Sequence, residues 1–366
     1  MEHFHQIVSP DLIKYYLLGA IGIFIFITVI LFVVLIVHKL HVERRQKRLK
    51  RLQDTYADFL VRKQSQPDLV IEKPGRDIEF EALGNAIIDM TSVKPDDGAF
   101  VSHLRRMTRV LELDEYNRKL ASSRSWVERY RAVETLGFLK MPEFGPFYHS
   151  ILKKEKNIHV ITKTIWSLSL IAEENDLDAI NSFLSDPLFA SSKFKEYIYT
   201  NIIRTFQERG EENRFVQLLE SWVEKPDMPV LLKKDAISAC GVVHLTSAKD
   251  AINKYYTRFH EVTEMKIACI RALERLGAHD MCHLIVSALN DEDWRVRAVA
   301  AKNAEVCSDI VIGALESVLR DRNYYVRINA AQALSKLGQQ GIAVLSRFTS
   351  SDDKFARDMA HYMLNR

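Results

Sequence analysis

Two histidines, His279 and His283, stand four residues apart. On a helix that spacing puts both imidazoles on one face, where they can share a metal ion. A zinc-like site needs further carboxylates or thiolates in a set pattern, and none completes this pair. His3 and His5 are also close, with nothing beside them to add ligands. The four cysteines, Cys240, Cys269, Cys282 and Cys307, form no C-x-x-C pair. They read as four separate buried thiols acting as small hydrophobes, which suits a reducing compartment. Nucleotide and hydrolase signatures are missing too: there is no phosphate loop ending in Gly-Lys-Ser/Thr, no G-x-G-x-x-G, no G-x-S-x-G and no H-E-x-x-H. No catalytic, cofactor-binding or metal-binding residue is assigned, no cofactor is expected, and the chain is not read as an enzyme.

The remaining chemistry is that of recognition. Trp294, Tyr324 and Tyr325 stand one or two residues before a Val-Arg pair, in copies 30 residues apart. Tryptophan, tyrosine and arginine are enriched at binding hot spots, so the three aromatics are candidate partner-binding residues. Their alternative role is to pack on a neighbouring turn. Arg297 and Arg327 recur at the same register and read first as structural. A separate cluster, Lys39, Arg44, Arg45, Lys47, Arg48, Lys50 and Arg51, carries six of the chain's positive charges net of Glu43. With the whole chain at +3, the rest is mildly acidic. The cluster has no interleaved aromatics, so a nucleic-acid partner is not expected.

The element ahead of that cluster explains it. Tyr15–Val37 is 23 residues long, has no charge, and holds Thr28 as its one polar interior residue apart from the leading tyrosines. As a helix it reaches about 35 Å, enough for a ~30 Å hydrocarbon core. A cleaved signal peptide would be shorter, with its positive charge in front and a small-residue site behind. Here the charge follows, so an uncleaved anchor is expected, with the N-terminus outside and the bulk of the chain in the cytoplasm. The cluster then retains the topology and can rest on anionic lipid. Leu49, Leu52, Tyr56 and Phe59 continue a helical stripe, either a stalk docking on its own domain or a short coiled coil. Gln64–Asp77, with two prolines, reads as a linker.

Beyond it the chain repeats itself. "DEDWRVRAVAAKNA" from Asp291 returns as "DRNYYVRINAAQAL" from Asp321. Aligned on Val326, the same slot falls on Val296, Met265, Leu232, Ile198, Ile161 and Glu128, and forward on Phe355. Four, five and eight residues after the slot stand small or apolar residues, such as Ala330, Ala331 and Leu334, which is one buried helical face. Asp293, Asn323, Asp352 and Ser125, three residues before the slot, are expected N-caps. Gly277 and Gly338 are expected helix stops. A second helix fits between successive copies. One helical pair cannot bury its own face, so the copies must stack.

The pattern D-x-x-x-x-V-R-x-x-A-A-x-A-L-x-x-L-G, read from Asp321 to Gly338, resembles HEAT repeats, in the short bacterial form also found in phycobilin lyases. With the single transmembrane helix ahead of it, the resemblance implies an all-α chain that continues as a HEAT-like α-solenoid of about seven to eight helical hairpins. It also implies that the residue after the slot pairs with an acidic group of an adjacent unit. The expected organisation is an outer tail (1–14), membrane helix (15–38), basic juxtamembrane helix (39–63), linker (64–77), helical lead-in or divergent repeats (78–121) and solenoid (122–366). A soluble piece starting near Gln64 is expected to fold.

The expected function is a membrane-tethered, cytosolic protein-binding scaffold or assembly factor at the inner membrane of a bacterium. Its partner would be another membrane-associated protein, for instance a polysaccharide glycosyltransferase complex. The alternative is a HEAT-like enzyme or chaperone-lyase, since phycobilin lyases and alkyl-purine DNA glycosylases share this architecture. A lyase would need a pocket of converging acidic and aromatic residues, and a glycosylase a basic groove.

Overall fold

The computed structural model describes residues 10–66, 68–93, 98–186, 191–277 and 282–365. Those residues form nineteen α-helices and no strand. The chain divides into two compact units, Met1–Leu139 and Lys140–Arg366.

The first unit holds α1 (Pro10–Ser65), α2 (Asp77–Val93), α3 (Gly98–Val110), α4 (Leu113–Leu120) and α5 (Trp126–Phe138). Helix α1 runs unbroken for 56 residues through two different environments. Its apolar stretch is exposed along its length: Phe24 is 71% exposed and the side chains around it are similar. The length and composition suffice to cross a membrane. Further on, Tyr56, Phe59 and Leu60 are buried and α1 lies along α2. The stripe predicted from Leu49 therefore docks on its own domain. Gln53 Nε2 donates to Asp89 at 2.5 Å, Arg45 pairs with Glu81 at 2.5 Å, and His103 Nε2 reaches the Leu60 carbonyl at 3.0 Å. A fragment beginning at Gln64 would lack three core side chains of the first unit, whose buried part begins within α1.

The second unit contains α6 (Gly145–Leu152), α7 (Ile158–Ser169), α8 (Glu174–Ser185), α9 (Ser192–Glu208), α10 (Glu212–Trp222), α11 (Val230–Val242), α12 (Lys249–Arg258), α13 (Thr263–Arg275), α14 (Cys282–Ala288), α15 (Trp294–Lys302), a 3₁₀ segment (Ala304–Val311), α16 (Ile312–Val318), α17 (Tyr324–Lys336), α18 (Gly338–Phe348) and α19 (Lys354–Leu364). The odd-numbered helices from α7 to α19 stack in chain order, each against the next. The even-numbered ones return between them. The slot residues Ile198, Leu232, Met265, Val296 and Val326 are all buried, as are Ala300, Ala301, Ala330 and Ala331. Small residues let the backbones close in: a Cβ on Gly241 of α11 would lie 2.8 Å from the Ala272 Cα of α13. Gly277 and Gly338 end α13 and α17 with φ of +59° and +66°, which glycine adopts without steric cost.

Two slots are one residue off. In α7 the Asn157 side chain caps His159 and Val160, so Val160, not Ile161, is the fully buried slot residue. In α19 the cap is Asp353, not Asp352: its Oδ1 accepts from Ala356 N at 3.0 Å. Ala356 is buried there, and Phe355 is 62% exposed. Glu128 keeps its slot in α5 but faces solvent, while Ala132, Val133 and Leu136 are buried. Asp293 and Asn323 cap as expected; Ser125 is an N-cap without a side-chain bond.

The cysteines also differ from expectation. Cys240 and Cys269 are free and buried, and burial pushes the Cys240 thiol up to about 12. Cys282 and Cys307, however, form a disulfide between α14 and the 3₁₀ segment. The two segments pack directly on each other, although α15 and 25 residues separate the sulfurs in sequence.

Candidate partner-binding edge

The edge is built at the start of each stacked helix. The residue after the slot is basic in four consecutive copies: Lys266, Arg297, Arg327 and Arg357. Arg297 shows how the position works. Its Nη1 donates to the carbonyls of Asp291 and Glu292, at 2.7 and 2.9 Å, stapling its own turn. Its Nε and Nη2 donate to the Asp321 carboxylate of the next copy, at 2.6 and 3.1 Å. This is a two-pronged, charge-assisted pair. Burial would raise the Asp321 pKa; the bonds from Arg297 and the Asn323 N–H outweigh it and hold the carboxyl below its ordinary value. Lys266 makes the equivalent link to Asp291 at 2.5 Å.

Arg327 repeats the staple and lacks the pair. Its Nη1 donates to the Asp321 and Arg322 carbonyls at 2.7 and 3.1 Å. Its Nε is buried and has no hydrogen-bond partner among the described residues. At the place of Asp291 and Asp321 the next copy has Ser351.

The predicted aromatics crowd this spot. Trp294, Tyr324 and Tyr325 are all more than 40% exposed. The Trp294 ring stacks on Tyr325 across two copies, with centroids 6.0 Å apart and planes at 21°. Tyr325 meets Tyr324 edge-on at 5.7 Å. Phe355, thirty residues beyond Tyr325, is the residue the sequence reading misplaced in the core. Its ring lies 4.9 Å from the Arg327 guanidinium, and Tyr324 lies 6.0 Å from the same group. Tyr197 and Leu231, one residue before their own slots, are exposed at the same register on α9 and α11.

The basic cluster is partly spent. Arg45 pairs with Glu81, Lys50 with Asp54 at 3.2 Å, and Lys39 is 3.9 Å from Glu43. Arg44, Lys47, Arg48 and Arg51 are exposed on the turns that follow the apolar stretch. His279 lies outside the described residues; His283 is exposed on α14. Among the described residues no group of three or more potential metal ligands comes together.

The first unit has a cleft of about 280 Å³ lined by Phe80, Tyr116, Asp77, Glu81, Glu128 and Arg131, among others. Acidic and aromatic groups converge there, as the lyase alternative requires. The acids are already engaged: Glu81 with Arg45 and Arg131, Asp77 with the Tyr116 hydroxyl, and Glu128 with Ser123. The Phe80 and Tyr116 rings fill the wall by stacking on each other at 4.1 Å.

The stacked helical pairs of the second unit make an α-solenoid. A family model described as HEAT repeats matches residues 283–365, the most regular of the copies. No curated protein matches this sequence. Among solved structures, an engineered protein is similar with a TM-score of 0.37 and 16% identity, covering 87% of this chain and 94% of that one. Kap121p bound to Nup53p gives 0.35 and 11%, covering 86% of this chain and 45% of Kap121p. The CpcE–CpcF complex of phycocyanin lyase from Nostoc sp. PCC7120 gives 0.26 and 15%, covering 80% and 99%.

Proposed function

We propose that this chain is a membrane-tethered scaffold that holds a HEAT-like solenoid against a membrane-associated protein partner. The observation that carries the reading is the single helix α1. Its exposed apolar half suits lipid, and its other half is part of a folded core through Tyr56, Phe59 and Leu60. The anchor therefore hands position directly to the first unit. Tethering of this kind raises local concentration near a membrane partner without new contacts. The Lys/Arg excess behind the span supports a cytoplasmic solenoid, an outer N-terminus and insertion in the inner membrane. Arg44, Lys47, Arg48 and Arg51 would lie at the headgroups. A polysaccharide-synthesising glycosyltransferase complex is one partner of the right location.

The test is a photo-crosslinker at position 325 in native membranes. A discrete protein adduct is expected, and it should survive replacement of Tyr15–Val37 by an unrelated span of the same orientation. An anchorless chain starting at Lys39, which keeps the docked half of α1, should lose the adduct at native expression and regain part of it when overexpressed. An anchorless chain that crosslinks normally would overturn the tethering. Turnover of a small molecule by the purified chain would favour the enzyme alternative.

One observation favours the opposite orientation. Disulfides persist in oxidising compartments and are rare in the cytosol, and Cys282 and Cys307 are bonded here. On the cytoplasmic reading the pair is expected as two thiols in cells. Alkylation of intact cells followed by denaturation and mass measurement checks this. A pair fully protected as disulfide, together with an active export-dependent reporter after Leu364, would place the solenoid outside.

A further inference from the structure

We propose that Arg327 is a carboxylate-recognition residue of this edge, taking an acidic side chain from the protein partner. The proposal rests on the scaffold reading and adds the partner's chemistry. The fold itself supplies the comparison. Lys266 and Arg297 each meet an aspartate from the following copy, Asp291 and Asp321. Arg327 is positioned by the same Nη1 bonds to its own turn, so its Nε edge faces the corresponding place, and there the chain has Ser351. The result is an arginine only 7% exposed, whose buried Nε has no hydrogen-bond partner among the described residues. A buried donor left without an acceptor is costly, and a partner that provides one recovers that cost on binding.

The surroundings match such a ligand. Arginine offers a planar fork suited to carboxylate, and aromatic faces hold the fork in place. Tyr324 and Phe355 flank it. Phe355 is mostly exposed, so its ring is free to swing aside as the carboxylate arrives. Trp294 and Tyr325 extend the apolar surface for the residues on either side of the acid. Arg322 and Lys354 are exposed nearby and make no side-chain ion pair among the described residues. The occupant is thus an acidic residue within an apolar segment of the partner.

The repeat also provides the decisive variant. Ser351 Oγ accepts from the Asp353 N–H, as Asp291 and Asp321 accept from the N–H groups of Asp293 and Asn323. Ser351→Asp therefore keeps the local turn and supplies the missing carboxylate internally. The experiment uses the full chain in detergent micelles and a dye-labelled peptide alternating glutamate and phenylalanine, with its glutamine counterpart as control. Fluorescence anisotropy should show the glutamate peptide binding about tenfold tighter, the scale of one charge-assisted hydrogen-bonded contact. Ser351→Asp and Arg327→Gln should each abolish that preference, and Ser351→Asn should keep it. Ser351→Asp should also raise the Tm, which separates competition from misfolding. A glutamate preference untouched by Ser351→Asp, or none in the unaltered chain, overturns the assignment. If the position-325 adduct persists without any glutamate preference, the scaffold stands and the carboxylate site falls; if both are absent, the scaffold falls with it.

Discussion

The helices from α13 to α19 and those from α7 to α12 make the same stack by different means. In the later part, Arg297 and Arg327 staple their own turns, Lys266 and Arg297 clip onto an aspartate of the next copy, and alanines line the contacts. In the earlier part, the place of the staple is taken by Tyr199, which is fully buried and donates its hydroxyl to Asn181 at 2.7 Å. Around it Trp222, Phe215 and Phe206 form a chain of ring contacts, each pair about 6 Å apart. Lys233, at the next staple position, reaches the Val223 carbonyl at 3.0 Å and lies over the Phe259 ring in place of a carboxylate. Stacking needs adjacent turns fixed relative to each other. Either a polar clip or an aromatic wedge does so, and only the clip leaves a repeated sequence signature.

If that contrast holds, the aromatic part should fail most severely when its wedge is removed. Tyr199→Ala deletes a large buried ring and strands Asn181, whose Nδ2 already lacks a partner. The expected loss is about 3–5 kcal/mol, read from denaturant unfolding. A loss under about 1 kcal/mol would mean that the ring is not what fixes these turns. In the later part, Ala330→Trp and Ala331→Trp should cost about 1–3 kcal/mol by overpacking the α17 contacts. Unchanged unfolding of both would show that the alanine face is not buried.

The polar clip should carry a pH signature that the wedge lacks. The Asp321 carboxyl is held below its unfolded pKa of roughly 4. Its contribution is therefore full above the unfolded value and disappears as pH falls through the lower folded value. Asp321→Asn should lower stability at neutral pH by about 1–3 kcal/mol, leaving Arg297 with an unpaired edge. The variant and the unaltered chain should converge as the pH drops below about 4. A difference that persists in acid would mean that shape, not charge, makes the contact.

The same contrast explains what could be read from the sequence. Where the clip operates, cap, slot and glycine stop are printed at a fixed step, and Asp293, Asn323, Gly277 and Gly338 were placed correctly. Where the wedge operates, burial constrains volume more than identity, so the register slipped from Val160 to Ile161. Phe355 lies one residue off the expected slot because Asp352 and Asp353 are both chemically able to cap, and only the backbone decides between them. The Cys282–Cys307 bond had no sequence signal, since 25 residues and a whole helix intervene. The apolar run of α1 is the plainest feature, because its length and composition suffice to cross a membrane. The docked half of α1 was visible as a stripe, but its occupant was not. Arg327 was visible as a repeat of Arg297; that it lacks a partner follows only once Ser351 is known to stand where Asp321 stood.

The smallest stability effect should fall on the residues expected to matter most for binding. Tyr325 is 60% exposed, and its chief contact is the stack on Trp294, itself partly exposed. Little apolar area leaves water there on folding, so Tyr325→Ala should cost no more than about 0.5–1 kcal/mol. Trp294→Ala should behave alike, and the double variant should cost less than the two losses added, because one stack is removed twice. Against this, an aromatic anchor at an interface typically loses about 2 kcal/mol or more of binding on truncation. Unfolding midpoints and partner crosslinking from a neighbouring exposed position, such as Arg322, should therefore separate in Tyr325→Ala: stability nearly intact, adduct reduced by more than tenfold. Equal, small effects on both would assign the aromatics to packing against the neighbouring turn and move the binding surface elsewhere on the solenoid.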